Sequence, residues 1–157
     1  MAKLDALIKA WDEATWEFTE VFKGLEDADL WRRAHPRLLS VGELTGHACY
    51  WEAAMVVPLT SIVSPLMNPA FGYYSTHVDS PFSLDLSVEQ VLADFKRVHE
   101  VTKAAVLELD PDDGDPVPGK EGWTWAAVLR YRSFHAAYHA GQAYSVRHIM
   151  GHTTTDN

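Results

Sequence analysis

The chain is short of several things, and each shortage excludes something. It has one cysteine, Cys49, so no internal disulfide is possible, and a reducing cytoplasm suits it. No apolar run approaches the ~20 residues that a membrane helix needs. The opening segment, "MAKLDALIKAWDEATWEF", is amphipathic and acidic, not an apolar block with a cleavage site. The expectation is a cytoplasmic protein with no membrane association. Basic charge is also scarce: 13 Lys and Arg stand against 22 Asp and Glu, a net charge of −9. The longest basic cluster is Arg32 and Arg33, with Arg37 nearby. Phosphate backbones are held by clustered Lys and Arg, so nucleic acid is not an expected partner. No stretch alternates as a strand would, and there is no internal repeat or low-complexity tract.

What is present is helical periodicity. A length of 157 residues favours a single domain, 1–157, with a real core. The first expected helix covers about 2–23, with Leu4, Leu7, Ile8, Trp11, Thr15, Phe18 and Phe22 at helical spacing. The second starts at Ser40, where Ser40 and Glu43 fit a capping box, and runs to about Val57, before Pro58. Leu44, His47, Ala48, Trp51 and Met55 share one of its faces. The third starts after Ser87, has Gln90 in the box position, and is stopped by Pro111. The fourth covers about Thr124 to Met150 and ends at Gly151. Residues 24–39 and 110–123 are moderate connections. Residues 58–86 are longer and proline-rich, and at ~3.3 Å per extended residue they can run back along a helix of ~30 Å. Such a crossover predicts an all-α four-helix bundle ordered up-down-down-up, with short helical pieces possible between the second and third helices.

The chemistry concentrates in "SFHAAYHAGQAYSVRHIMG", Ser133 to Gly151. His135 and His139 are one turn apart and share the apolar stripe of the fourth helix. A single histidine there reads as a core residue with its hydrogen bonds met. Two need two sets of partners or one metal ion, and the i, i+4 spacing is how a helix clamps a cation. A third partner should come from the inward face of another helix. His47 fits, one turn before Trp51, and His99 on the third helix is held in reserve. His148 points to the opposite side of its helix at ~100° per residue, and His152 lies beyond Gly151; both suit the helix C-terminal dipole. His35 and His77 fall in loops.

Rival motifs fail on inspection. Ala136 stands where a zinc peptidase would carry its glutamate base. A di-iron bundle needs inward Glu-x-x-His motifs, and no acid lies between Thr124 and Met150. The acidic run "DPDDGDP" places Gly114 one position early for a calcium loop and reads as a solvated loop. Gly141, in mid-helix, reads either as a close helix–helix approach or as room for a ligand. Gln142 lies nearly on the His135 face, able to bond a ligand or a metal-bound water.

With "SVGELTGHACYWE" around His47 and "FHAAYHAGQAYSVRHIMG" around His135, His139 and Gln142, the chain resembles the DinB/YfiT-like superfamily of metal-binding four-helix bundles over essentially its whole length. The resemblance implies His47, His135 and His139 as a metal triad, and a thiol-dependent transferase as the kind of activity. It leaves the substrate open.

Three neutral imidazoles leave a divalent ion its full charge and an open position, which is the catalytic arrangement. Zinc, nickel and iron(II) all suit imidazole. Cys49 is ~200° around the helix from His47, so any reacting thiol would be an external, low-molecular-weight one. The expected substrate is a small electrophilic molecule, with Arg132 and Gln142 as candidate catalytic residues and Arg132 placed to hold an anion. A metal-dependent hydrolase and a non-catalytic metal-binding stress-response protein are the alternatives. The apolar run "MVVPLTSIVSPLM", together with six tryptophans, predicts a homodimer.

Overall fold

The computed structural model describes residues 4–56, 61–72 and 79–155, and all its regular elements are helices. Helix α1 spans Asp5–Glu20 and buries Trp11, Thr15 and Phe18, the expected stripe at i, i+4 and i+7. The chain turns at Gly24, whose φ of +69° suits a residue without a Cβ. A short helix, α2 at Asp27–Leu30, follows inside what the sequence presented as a plain loop. Leu30 anchors it in the core.

Helix α3 spans Val41–Val56. Its start is the predicted capping box: the Glu43 amide donates to Ser40 Oγ (3.2 Å) and the Ser40 amide to Glu43 Oε2 (2.8 Å). The expectation of one buried face is too narrow. Opposite sides of α3 are buried together, from Val41, Leu44 and Ala48 to Thr45, Cys49 and Glu52. It touches α2, the crossover, α4 and α5, so it is a central helix, enclosed on opposite sides.

The crossover supplies two 3-10 turns, Pro65–Met67 and Pro69–Phe71, capped by Ser64 and Asn68, with Leu66 and Phe71 fully buried against α3. Of "MVVPLTSIVSPLM", residues 57–60 lie outside the described set. Met55, Val56 and Leu66 are buried, Ile62 and Met67 pack against the core, and Val63 is exposed. The described part of the run thus packs largely within the chain's own core, with Val63 exposed. His77 also lies outside the described residues.

Helix α4, Val88–Leu109, opens on a complete Ser87–Gln90 capping box and closes on Asp110 in the left-handed region, φ 45°. Helix α5, Trp125–Ile149, starts where Thr124 Oγ1 accepts from the Ala127 amide and stops at Gly151, φ +88°. In its last turn Arg147 is buried and donates through Nη1 to the carbonyls of Val21 (2.6 Å) and Lys23 (2.8 Å). It thus satisfies carbonyls just past the end of α1. Its Nε donates to His152 Nδ1, and His152 Nε2 in turn reaches Asp29 Oδ2 at 2.8 Å. His148 pairs with Thr154.

The apolar interior has two parts. One gathers Phe18, Leu44, Phe71, Phe95 and Tyr144; the other gathers Trp11, Met55, Val106, Trp125 and Val128. The early part of α1 thus shares a cluster with the early part of α5, and the ends of α3 and α4 meet there too.

Polar groups also lie inside. His99 is held between Glu52 Oε1 (3.0 Å) and Asp12 Oδ1 (2.7 Å) and is edge-on to Trp11. Glu52 also accepts from Trp11 Nε1 and Thr102 Oγ1. Burial alone would lower the His99 pKa, but the two carboxylates outweigh it and raise it. The stabilisation from charged His99 is therefore complete below the ordinary histidine value and is lost as pH rises through the raised one. Melting followed from pH 6 to 9 should fall in the wild type relative to His99→Gln; parallel curves would contradict this.

Gly141 is not a packing glycine. A Cβ there would meet nothing within 4 Å, so the close-approach reading does not hold. Gly141→Ala should stabilise the protein by about 0.5–1 kcal/mol, or roughly 2–4 °C in melting temperature. A lower melting temperature would contradict that. The close approaches are at Gly42 and Gly46 of α3, where a Cβ would lie 2.5 Å from the Trp31 ring and 2.6 Å from the Phe71 ring.

Candidate metal centre

His135 and His139 leave α5 one turn apart, and His47 meets them from α3. The ring centroids are 4.4 Å apart for His135–His139, 4.8 Å for His47–His139 and 5.1 Å for His47–His135. One nitrogen from each ring lies within 4.8 Å of the others. Among the described residues this is the group of histidine, cysteine and carboxylate side chains able to hold a metal ion.

Two of the rings are oriented from behind. His47 Nδ1 donates to the Phe71 carbonyl at 2.7 Å, and His139 Nδ1 donates to Gln142 Oε1 at 2.7 Å. Each bond fixes the tautomer and leaves an Nε2 lone pair, the arrangement by which outer partners orient metal-binding imidazoles. Gln142 Nε2 is itself spent on Tyr138 Oη, 3.1 Å away. Gln142 thus braces the His139 ring from behind. Phe71 is the functional group that sequence reading missed. Its ring packs on Gly46 and its carbonyl holds the next residue, so the missing Cβ of Gly46 lets the crossover reach His47.

The Nε2 atoms of His135 and His139 face each other at 3.2 Å. Two imidazole nitrogens on one tetrahedral ion, with bonds of about 2.0–2.1 Å, stand about 3.3 Å apart. The pair already has that span, and without an ion a single N–H···N bond fills it. Electrostatics agree. Burial, with the nearby Arg132 charge and neighbouring histidines, pushes the His135 pKa down to about 2. Burial and His47 take His139 down to about 4, and burial lowers His47 as well. All three are held neutral at pH 7, the protonation state in which an imidazole binds a cation.

A cavity of about 560 Å³ opens beside the histidines. His47, His135 and Arg132 line it together with Trp51, Trp123 and Tyr131. Cys49 is fully buried, and burial drives its thiol pKa well above the ordinary value. The reserve histidine, His99, is committed to Asp12 and Glu52.

A model of the DinB superfamily matches residues 10–143, a span that contains His47, His135, His139 and Gln142. No curated protein and no solved structure matches the chain.

Proposed function

The chain belongs to the DinB superfamily, and we propose that it is a divalent-metal-dependent enzyme that joins an external thiol to a small electrophile, with His47, His135 and His139 as the metal ligands. The observation that carries this reading is the convergence of three neutral imidazoles, two of them held from behind, with His47 and His135 lining an accessible cavity. Zinc, nickel and iron(II) suit that donor set. Bound there, the ion would supply positive charge that favours a thiol in its thiolate form. The thiol proton passes to solvent, sulfur bonds the electrophilic carbon, and the leaving group departs with its electron pair. The protein's own sulfur is enclosed and protonated, so the thiol comes from outside. The cavity suits a small molecule in volume.

The packing supports the up-down-down-up four-helix reading. Tyr144 of α5 donates to Glu17 of α1 near the end of each, while Trp11 and Trp125 share a cluster near the starts. Among the described residues no helix is long and apolar enough to cross a membrane. The homodimer proposal now rests on the exposed rings Tyr131, Phe134 and Tyr138 of α5. Sedimentation that shows only monomer at tens of micromolar would remove it.

The function is tested with metal-loaded protein purified without a histidine tag. Several low-molecular-weight thiols are offered with an aryl halide electrophile, beside esters and amides without thiol. Thiol-dependent conjugation that is lost in His139→Ala is the expected result. Ester or amide turnover without thiol, lost in the same variant, would move the assignment to a hydrolase. No turnover of either kind would favour the non-catalytic reading.

A further inference from the structure

Arg132 is 5% exposed, and its Nε and Nη1 are enclosed with no hydrogen-bond partner among the described residues. An enclosed guanidinium without a counter-ion is costly, and such a charge is expected to be matched by something. Among the described residues no group accepts a hydrogen bond from those two nitrogens. Glu52 is the acid whose charge reaches Arg132, but its oxygens accept from Trp11, His99 and Thr102. The Arg132 guanidinium does lie over the Tyr131 ring, its Cζ 4.8 Å from the centroid.

The surroundings define what would match it. Lys120 is a second cation on the cavity, and among the described residues no acid lines it. The walls are flat and apolar: Trp51, Trp123, Tyr131 and Met55. Trp51 is held in place by its Nε1 bond to the Gly72 carbonyl at 2.8 Å, and the Trp123 and Tyr131 rings meet edge to face at 5.6 Å. A planar two-oxygen anion suits the fork of a guanidinium, and a ring system suits these walls.

We propose that this cavity binds an aromatic carboxylate, its carboxylate on Arg132 and its ring among Trp51, Trp123 and Tyr131. This names the class of small molecule for the reaction proposed above and rests on that reading for its chemical role. Binding itself needs neither the metal nor the thiol, so the two readings fail separately.

The test is calorimetric titration of metal-free wild-type protein with 2-naphthoate, methyl 2-naphthoate and acetate. Removing the metal prevents a carboxylate from binding simply as a metal ligand. Naphthoate should bind at least 10-fold more tightly than its ester and than acetate. Arg132→Met should weaken naphthoate at least 10-fold, leave the ester within about twofold, and melt no lower than wild type, because it removes an unmatched buried charge. Equal affinity of wild type for acid and ester would overturn the proposal without reference to any variant. So would unchanged naphthoate binding in Arg132→Met. A lower melting temperature of that variant, with naphthoate and ester weakened alike, would make Arg132 a structural residue and overturn it as well.

Discussion

Replacing Glu43 by alanine is expected to cost about 3–5 kcal/mol, lowering the melting temperature on the order of 10 °C. The carboxylate is 1% exposed and accepts from five donors. Arg33 supplies two, Nε at 2.8 Å and Nη2 at 2.5 Å. Ser40 supplies its amide at 2.8 Å and its hydroxyl at 2.9 Å, and the Phe82 amide adds a fifth at 3.0 Å. One side chain thus joins the start of α3 to the α2–α3 connection and to the end of the crossover. The variant would leave the enclosed Arg33 charge without its carboxylate. Burial alone would raise the Glu43 pKa, but the Arg33, Ser40 and Phe82 bonds outweigh it and hold it below the ordinary value. Its contribution is therefore present above the ordinary glutamate range and is lost as pH falls through the depressed one. Glu43→Gln, which keeps the shape and loses the charge, should lie between wild type and Glu43→Ala. Melting of Glu43→Ala within 2 °C of wild type, by circular dichroism at pH 7, would remove this carboxylate as the organiser of α3.

The second large effect concerns metal affinity. His47→Ala, His135→Ala and His139→Ala should each weaken divalent-ion binding by more than ~100-fold, because loss of even an outer partner costs 10–100-fold. Gln142→Ala, which removes the acceptor behind His139, should fall in that outer range. His148→Ala should bind as wild type, since His148 pairs with Thr154 and not with the triad. Competition against a chromophoric chelator reads all five. Full occupancy in a His135→Ala, His139→Ala double variant would dissolve the site.

Local signals carried the helices. The Ser40–Glu43 and Ser87–Gln90 boxes, Pro111 and Gly151 mark starts and stops where the structure has them, because capping is decided within a few residues. The His135–His139 pair was legible for the same reason, and His47 followed from the inward face of its helix. What the sequence hid is what other segments decide. The Phe71 carbonyl is a backbone group and leaves no mark in the side-chain pattern, although Gly46 is the notch that admits it. The burial of α3 on opposite sides depends on the crossover and α2 covering it, which no periodicity within α3 reports. Arg132 stood out as uncomfortable in a core stripe, whereas Arg147, 1% exposed, did not. Its partners are carbonyls at the far end of α1, more than a hundred residues earlier. The bonds of Gln142 to His139 and Tyr138 were not legible, because the face of a residue does not say which neighbours its amide meets.

Three imidazoles sharing one ion are the centre of the proposed function. X-ray absorption at the zinc edge of tag-free protein loaded with one equivalent of zinc reads the ligands directly. The account predicts a first shell containing three imidazole nitrogens at about 2.0–2.1 Å, falling to two in His47→Ala. A shell with sulfur in it, a shell of oxygen alone, or a spectrum unchanged in His47→Ala would contradict it.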